Sequence, residues 1–117
     1  MMGSPEIRFR DFQPGDDLVA SVKDDAEKLA KFFDRIQSCR VTVDAPHRHQ
    51  HKGKRYHVHI HIAVPDETID VDREAEEDAT HSHVHAALRD AFDAARRQLQ
   101  DYAARRRGDG KGREAIG

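Results

Sequence analysis

Tryptophan is absent from this 117-residue chain, cysteine occurs once, tyrosine twice and proline four times. A single cysteine, Cys39, rules out an internal disulfide. No apolar run approaches the length needed to span a membrane or follows a basic N-terminal region as in a secretory signal, so the expected compartment is a reducing cytoplasm. There is no glycine loop to cradle phosphate, no Ser-His-Asp logic and no zinc-protease helix motif. Cys39 has no evident base beside it and reads as a small buried residue rather than a nucleophile. The chain is therefore expected not to be an enzyme and to need neither cofactor nor small-molecule substrate.

What is abundant is charge, at 36% of residues, with a formal net charge of -2. The apolar residues are periodic rather than scattered, which argues for one packed domain. The charges are segregated. His47 to Val64 carries Arg48, Lys52, Lys54 and Arg55 and no acid. Asp66 to Asp78 holds Asp66, Glu67, Asp70, Asp72, Glu74, Glu76, Glu77 and Asp78 against Arg73 alone, and basic residues return at Arg96, Arg97 and Arg105 to Arg107.

The clearest local signal is Tyr56 to Val64. Tyr56, Val58, Ile60, Ile62 and Val64 fall on one side of an extended chain and His57, His59, His61 and Ala63 on the other, since successive strand side chains point to opposite faces. A first strand is predicted over Glu6 to Phe12, ended by Pro14-Gly15. A helix follows, capped by Asp16 or Asp17, with Leu18, Val22, Ala26, Leu29, Phe33 and Ile36 as its stripe. Arg40 to Asp44 is the next strand, and His47 to Arg55 a basic loop leading into the histidine strand. Thr68 to Arg73 forms a fourth strand, and the acids Glu74 to Asp78 connect it onward. A second helix opens at Thr80 or Ser82 and runs to about Arg107, with Val84, Ala87, Leu88, Ala91, Ala95, Leu99 and Tyr102 buried.

The order β-α-β-β-β-α gives an α+β fold: a four-stranded sheet with two helices on one face and the other face open to solvent. Residues 1–5 are expected to be a flexible N-terminus, 6–107 the domain and 108–117 a flexible Gly-rich tail.

His-x-His-x-His occurs three times: His47, His49 and His51; His57, His59 and His61; His81, His83 and His85. Three imidazoles on one strand suit zinc, nickel or copper. Same-face strand neighbours are about 7 Å apart, whereas zinc takes ligands at about 2 Å from one centre. The other reading of His57, His59 and His61 is an exposed sheet face with cross-strand His-Asp pairs. A histidine-rich metal-binding protein is the alternative function.

Phe33-Asp34-Arg35-Ile36 directly before a Val-rich strand, Leu18 and Lys28 in the first helix, Ala86-Ala87-Leu88 and Arg97-Gln98-Leu99 in the second resemble the ribosome hibernation-promoting factor and ribosome-associated inhibitor family, also called the sigma-54 modulation family. Ala45-Pro46-His47-Arg48-His49 and the run Asp90 to Leu99 resemble one of its subgroups. The resemblance covers Ile7 to Arg107. It implies the same β-α-β-β-β-α fold, which resembles double-stranded RNA-binding domains. It also implies a non-enzymatic, cytoplasmic protein of the stress response that binds 16S rRNA in the mRNA-tRNA channel of the small ribosomal subunit and blocks translation sterically. The isolated domain is expected to be monomeric. Lys28, Arg97 and Arg105 to Arg107 inherit the family's phosphate-binding role by position, as does Arg35. Arg89 and Arg96 are exposed additions of this sequence, and Arg48, Lys52, Lys54 and Arg55 a further basic patch. Asp25, Ala94 and Asp101 stand where many members have lysine.

Overall fold

Every second residue of the histidine strand disappears into the core, and that alternation fixes the layer structure. The computed structural model describes residues 5–45, 55–76 and 84–116, with backbone alone at 76 and 107–116. Strands β1 (Glu6–Arg10), β2 (Ser38–Asp44), β3 (Arg55–Val64) and β4 (Glu67–Glu76) and helices α1 (Asp16–Phe32) and α2 (Val84–Ile116) follow the predicted order. The sheet runs β1-β2-β3-β4, with β1 parallel to β2 and the other pairs antiparallel. A parallel pair needs a crossover, and α1 provides it.

Val58, Ile60 and Ile62 of β3 have no exposed surface, and they face Val22, Ala26 and Leu29 of α1 together with Leu88, Ala91, Ala95 and Leu99 of α2 in one core. Burying each of the valine, leucine and isoleucine side chains contributes about 1.5–3 kcal/mol, and each alanine less. Helix α2 lies over β3 and β4, and α1 packs against β2 and α2. The β3-β4 hairpin turns at Pro65-Asp66. Proline supplies the fixed φ of the first turn position, and Asp66 takes the left-handed conformation (φ 74°) that a short polar side chain tolerates. The Tyr102 hydroxyl donates to the Pro65 carbonyl at 3.0 Å and ties this turn to α2.

Several predicted boundaries shift. The N-cap of α1 is Gly15, with no side-chain cap, rather than Asp16 or Asp17; both acids lie in the first turn, where the helix dipole favours them. The helix stops at Phe32, so Phe33 and Ile36 lie beyond it, half-buried and buried, and reach the core from the connection instead. Strand β4 continues to Glu76, so Glu74 and Glu76 belong to the sheet, not to a loop. Acids that alternate onto a solvated face do not break a ladder: Tyr56 pairs with Ala75, which packs against the core. Strand β2 begins at Ser38 and β1 ends at Arg10. The backbone of α2 runs on to Ile116 past Gly108, Gly110 and Gly112 rather than ending near Arg107. Glycine weakens a helix without forbidding it. The predicted openers Thr80 and Ser82 lie outside the described residues. Among the described residues no helix is long and apolar enough to cross a membrane.

A candidate nucleic-acid interface on the helices

Because both helices bury one stripe against the same sheet face, their remaining outward positions meet along a shared groove. Lys28 of α1 and Arg89 and Arg96 of α2 line it, over a volume of about 360 Å³. Each lies on a polar position between buried ones: Lys28 beside Leu29, Arg89 beside Leu88, Arg96 beside Ala95. The groove also holds acids. Asp25 is half-buried there, and burial raises its carboxyl above the usual carboxylate range, opposed by the Lys28 charge. Lys28 itself pairs with Asp24 at 3.2 Å and Arg96 with Asp93 at 3.0 Å, while Arg89 has no ion pair among the described residues.

The other predicted cations separate into distinct settings. Arg35 lines a second cleft, of about 620 Å³, between the end of α1 and the later turns of α2, and makes no ion pair among the described residues. Arg97 is exposed on α2 outside both clefts and likewise makes no ion pair among the described residues. Arg105 and Arg106 turn back onto the β3-β4 hairpin, to Glu67 at 2.9 Å and Asp66 at 2.8 Å, and Arg106 stacks over the Tyr102 ring at 5.6 Å from its centroid. Arg55 is the first residue of β3 rather than a loop residue, 3.7 Å from Glu74. Arg48, Lys52 and Lys54 lie outside the described residues, as does the side chain of Arg107. Surface pairs of this kind contribute little to stability, so a polyanion can displace them at small cost.

The opposite face of the sheet has another chemistry. His57 Nε2 lies 3.0 Å from Asp72, His59 Nε2 3.0 Å from Asp70 and His61 Nδ1 2.7 Å from Asp70. Two of these contacts are diagonal, since the residues directly opposite are His59 and Asp72, His57 and Glu74. Hydrogen bonds from His61 first, then His59, hold the Asp70 carboxyl below its ordinary value. The imidazoles turn onto acids instead of toward a common centre, with the His59 and His61 rings 6.5 Å apart. Among the described residues no group of three His, Cys, Asp or Glu could hold a metal ion, so the metal alternative has no geometry there to support it. On the β1 side, Arg8 and Arg40 both reach Glu6, at 2.6 and 3.2 Å. Cys39 is buried and its thiol is pushed up to about 11 by that burial, which leaves almost no thiolate for nucleophilic chemistry.

Sequence reasoning missed one exposed feature, Phe32, which lines both clefts. The signal was available: Phe32 and Phe33 are consecutive, and on a helix only one of two neighbours can face the core.

Residues 6–107 match the family described as Sigma 54 modulation protein / S30EA ribosomal protein. The chain belongs to this family. No individually curated protein matches the sequence. Among solved structures, the fold is similar to a ribosomal subunit interface protein from Coxiella burnetii, with a TM-score of 0.64 at 12% identity over 85% of this chain and 96% of that one. It is also similar to the N-terminal domain of Protein Y from Thermus thermophilus, with a TM-score of 0.62 at 15% identity over 86% of this chain and 99% of that one. At such identities the likeness shows the fold alone. Of the three residues that stand where the resemblance leads one to expect lysine, Asp25 sits in the helix groove, Ala94 packs partly against the core and Asp101 is exposed.

Proposed function

We infer that this protein is a ribosome-associated hibernation factor: it binds the small ribosomal subunit on 16S rRNA in the mRNA-tRNA channel and blocks that path by its bulk. Membership of the family gives the ribosome as partner. One observation carries the choice of surface: cations from two separate helices, Lys28, Arg89 and Arg96, line one groove, with Arg35 and Arg97 exposed on the same helical layer. Such an array neutralises phosphates and releases their counterions, which makes binding strong at low salt and weak at high salt. No bond need be made or broken. A folded domain about 27 Å by 20 Å in its short dimensions excludes other chains from any channel it fills. A protein of this kind works in the cytoplasm.

Cosedimentation through sucrose gradients tests the reading. The protein is expected to travel with 30S and 70S particles at low salt and to leave them as salt rises, log affinity falling linearly with log salt. Failure to travel with either particle at low salt would remove the ribosome as its partner.

A further inference from the structure

Phe32 ends α1 with 76% of its surface exposed, while Phe33 turns back, half-buried, against the core. Val19, at 37%, is the other large apolar side chain left exposed among the described residues. An aromatic ring of that exposure forgoes a large hydrophobic gain, and here it sits where two clefts meet. In the groove between the helices its neighbours include Lys28, Arg89 and Arg96; in the cleft beyond the end of α1 they include Arg35 and Arg106. Arg35 and Arg89, one in each of the two clefts, make no ion pair among the described residues, whereas Lys28, Arg96 and Arg106 are answered by Asp24, Asp93 and Asp66. Asp25 and Asp34 also line these clefts.

A ring between unpaired cations defines the chemistry of its occupant. An apolar protein surface would cover Phe32 only by desolvating Arg35 and Arg89, and the Asp25 and Asp34 carboxyls in the same clefts, without giving any of them a new partner, which is costly. A nucleic-acid duplex presents phosphates but hides its base faces in its own stack. A single strand offers a base to the ring and phosphates to the cations beside it. We propose that Phe32 is a stacking platform for one unpaired base of ribosomal RNA, the flanking phosphates being held by Arg35 on one side and Arg89 on the other. The inference rests on the ribosome-binding reading and adds to it the kind of RNA contact made.

The absence of tryptophan provides the probe. In Phe32→Trp the introduced indole is the sole one, and its fluorescence should be quenched by a short single-stranded oligoadenylate and left unchanged by a duplex of the same length. In parallel, Phe32→Leu should bind purified 30S subunits about tenfold more weakly, the effect of losing one base stack, while Phe32→Tyr binds like the parent. The slope of log affinity against log salt should stay as it was in Phe32→Leu, since no charge has been removed. The ring is exposed, so all three variants should fold, and matching circular dichroism melts check that they do. If the parent binds 30S subunits, Phe32→Leu binds equally well and the indole is not quenched, the stacking role is refuted and the hibernation reading stands. A parent dimer that Phe32→Leu abolishes would show the ring covered by a second copy instead. A parent that never cosediments with 30S subunits would overturn both.

Discussion

The two faces of this sheet carry charge in opposite ways. On the open face most basic side chains meet an acid: Arg8 and Arg40 share Glu6, Arg55 lies near Glu74, the His57 imidazole meets Asp72 and those of His59 and His61 share Asp70, while Arg10 makes no ion pair among the described residues. On the helical face Arg35, Arg89 and Arg97 have none among the described residues; of the cations that do, Lys28 and Arg96 hold acids on their own helices, and Arg105 and Arg106 hold acids of the β3-β4 hairpin. A charge already paired must give up a partner before it can take a phosphate, whereas an unpaired exposed arginine gives up only water. The formal net charge of -2 conceals this, because a sum counts paired and unpaired charges alike. Where charge is left unanswered says more about a partner than its sum does.

The largest expected effect comes from the layer both faces share. Ile60 is fully buried in the central strand, and Ile60→Ala should cost about 2–5 kcal/mol of stability, read as a lower midpoint in urea with nearly unchanged slope. A cost near zero would mean that the two faces are not held by this core. Next comes the asymmetry itself. Lys28→Glu with Arg89→Glu, both in the helix groove, should weaken 30S binding by about 2–3 kcal/mol, roughly 30- to 150-fold, and lower the salt slope by about 2. Arg8→Ala with Arg40→Ala on the open face should change affinity about twofold at most. Equal losses from the two pairs would show that the open face also meets RNA.

The scaffold was legible where burial imposes a period. Tyr56 to Val64 alternates because one side of β3 meets α1 and α2 and the other meets water, and the stripes from Leu18 to Leu29 and from Val84 to Tyr102 follow a helical repeat for the same reason. Ends were less legible. Ile36 is buried and fits the spacing of α1, yet it follows the helix, because an apolar residue can reach a core from a connection as well as from a turn of helix. The candidate interface was legible only residue by residue. Lys28, Arg89 and Arg96 were each nameable as exposed cations, but their convergence depends on how α1 packs against α2, which no local pattern encodes. The pairing of Arg105 with Glu67, 38 residues away, is hidden for the same reason. The histidines were read as an exposed ladder; their diagonal tilt onto Asp70 and Asp72 belongs to the geometry of the paired strands, not to the spacing.

The smallest effect sharpens the open face. Asp70 accepts from His61 and His59, and its carboxyl titrates below the ordinary value in the folded state. A depressed carboxylate pKa adds stability above the unfolded-state value, near 3.9, and loses it as the pH falls through the folded one. The wild type should therefore exceed Asp70→Asn in stability near neutral pH, and the difference should fade only in the acid range below about 4. The side chain is 46% exposed, so solvent screening holds the gain to about half a kcal/mol, a small shift in the urea midpoint. If the advantage of the wild type persisted unchanged to the acid end, the carboxylate charge would not be its source. If Asp70→Asn instead cost several kcal/mol at neutral pH, the His-Asp ladder would be a structural network on the scale of the core, and a face already committed to internal pairing in that way would be still less available to a phosphate than the helical face opposite.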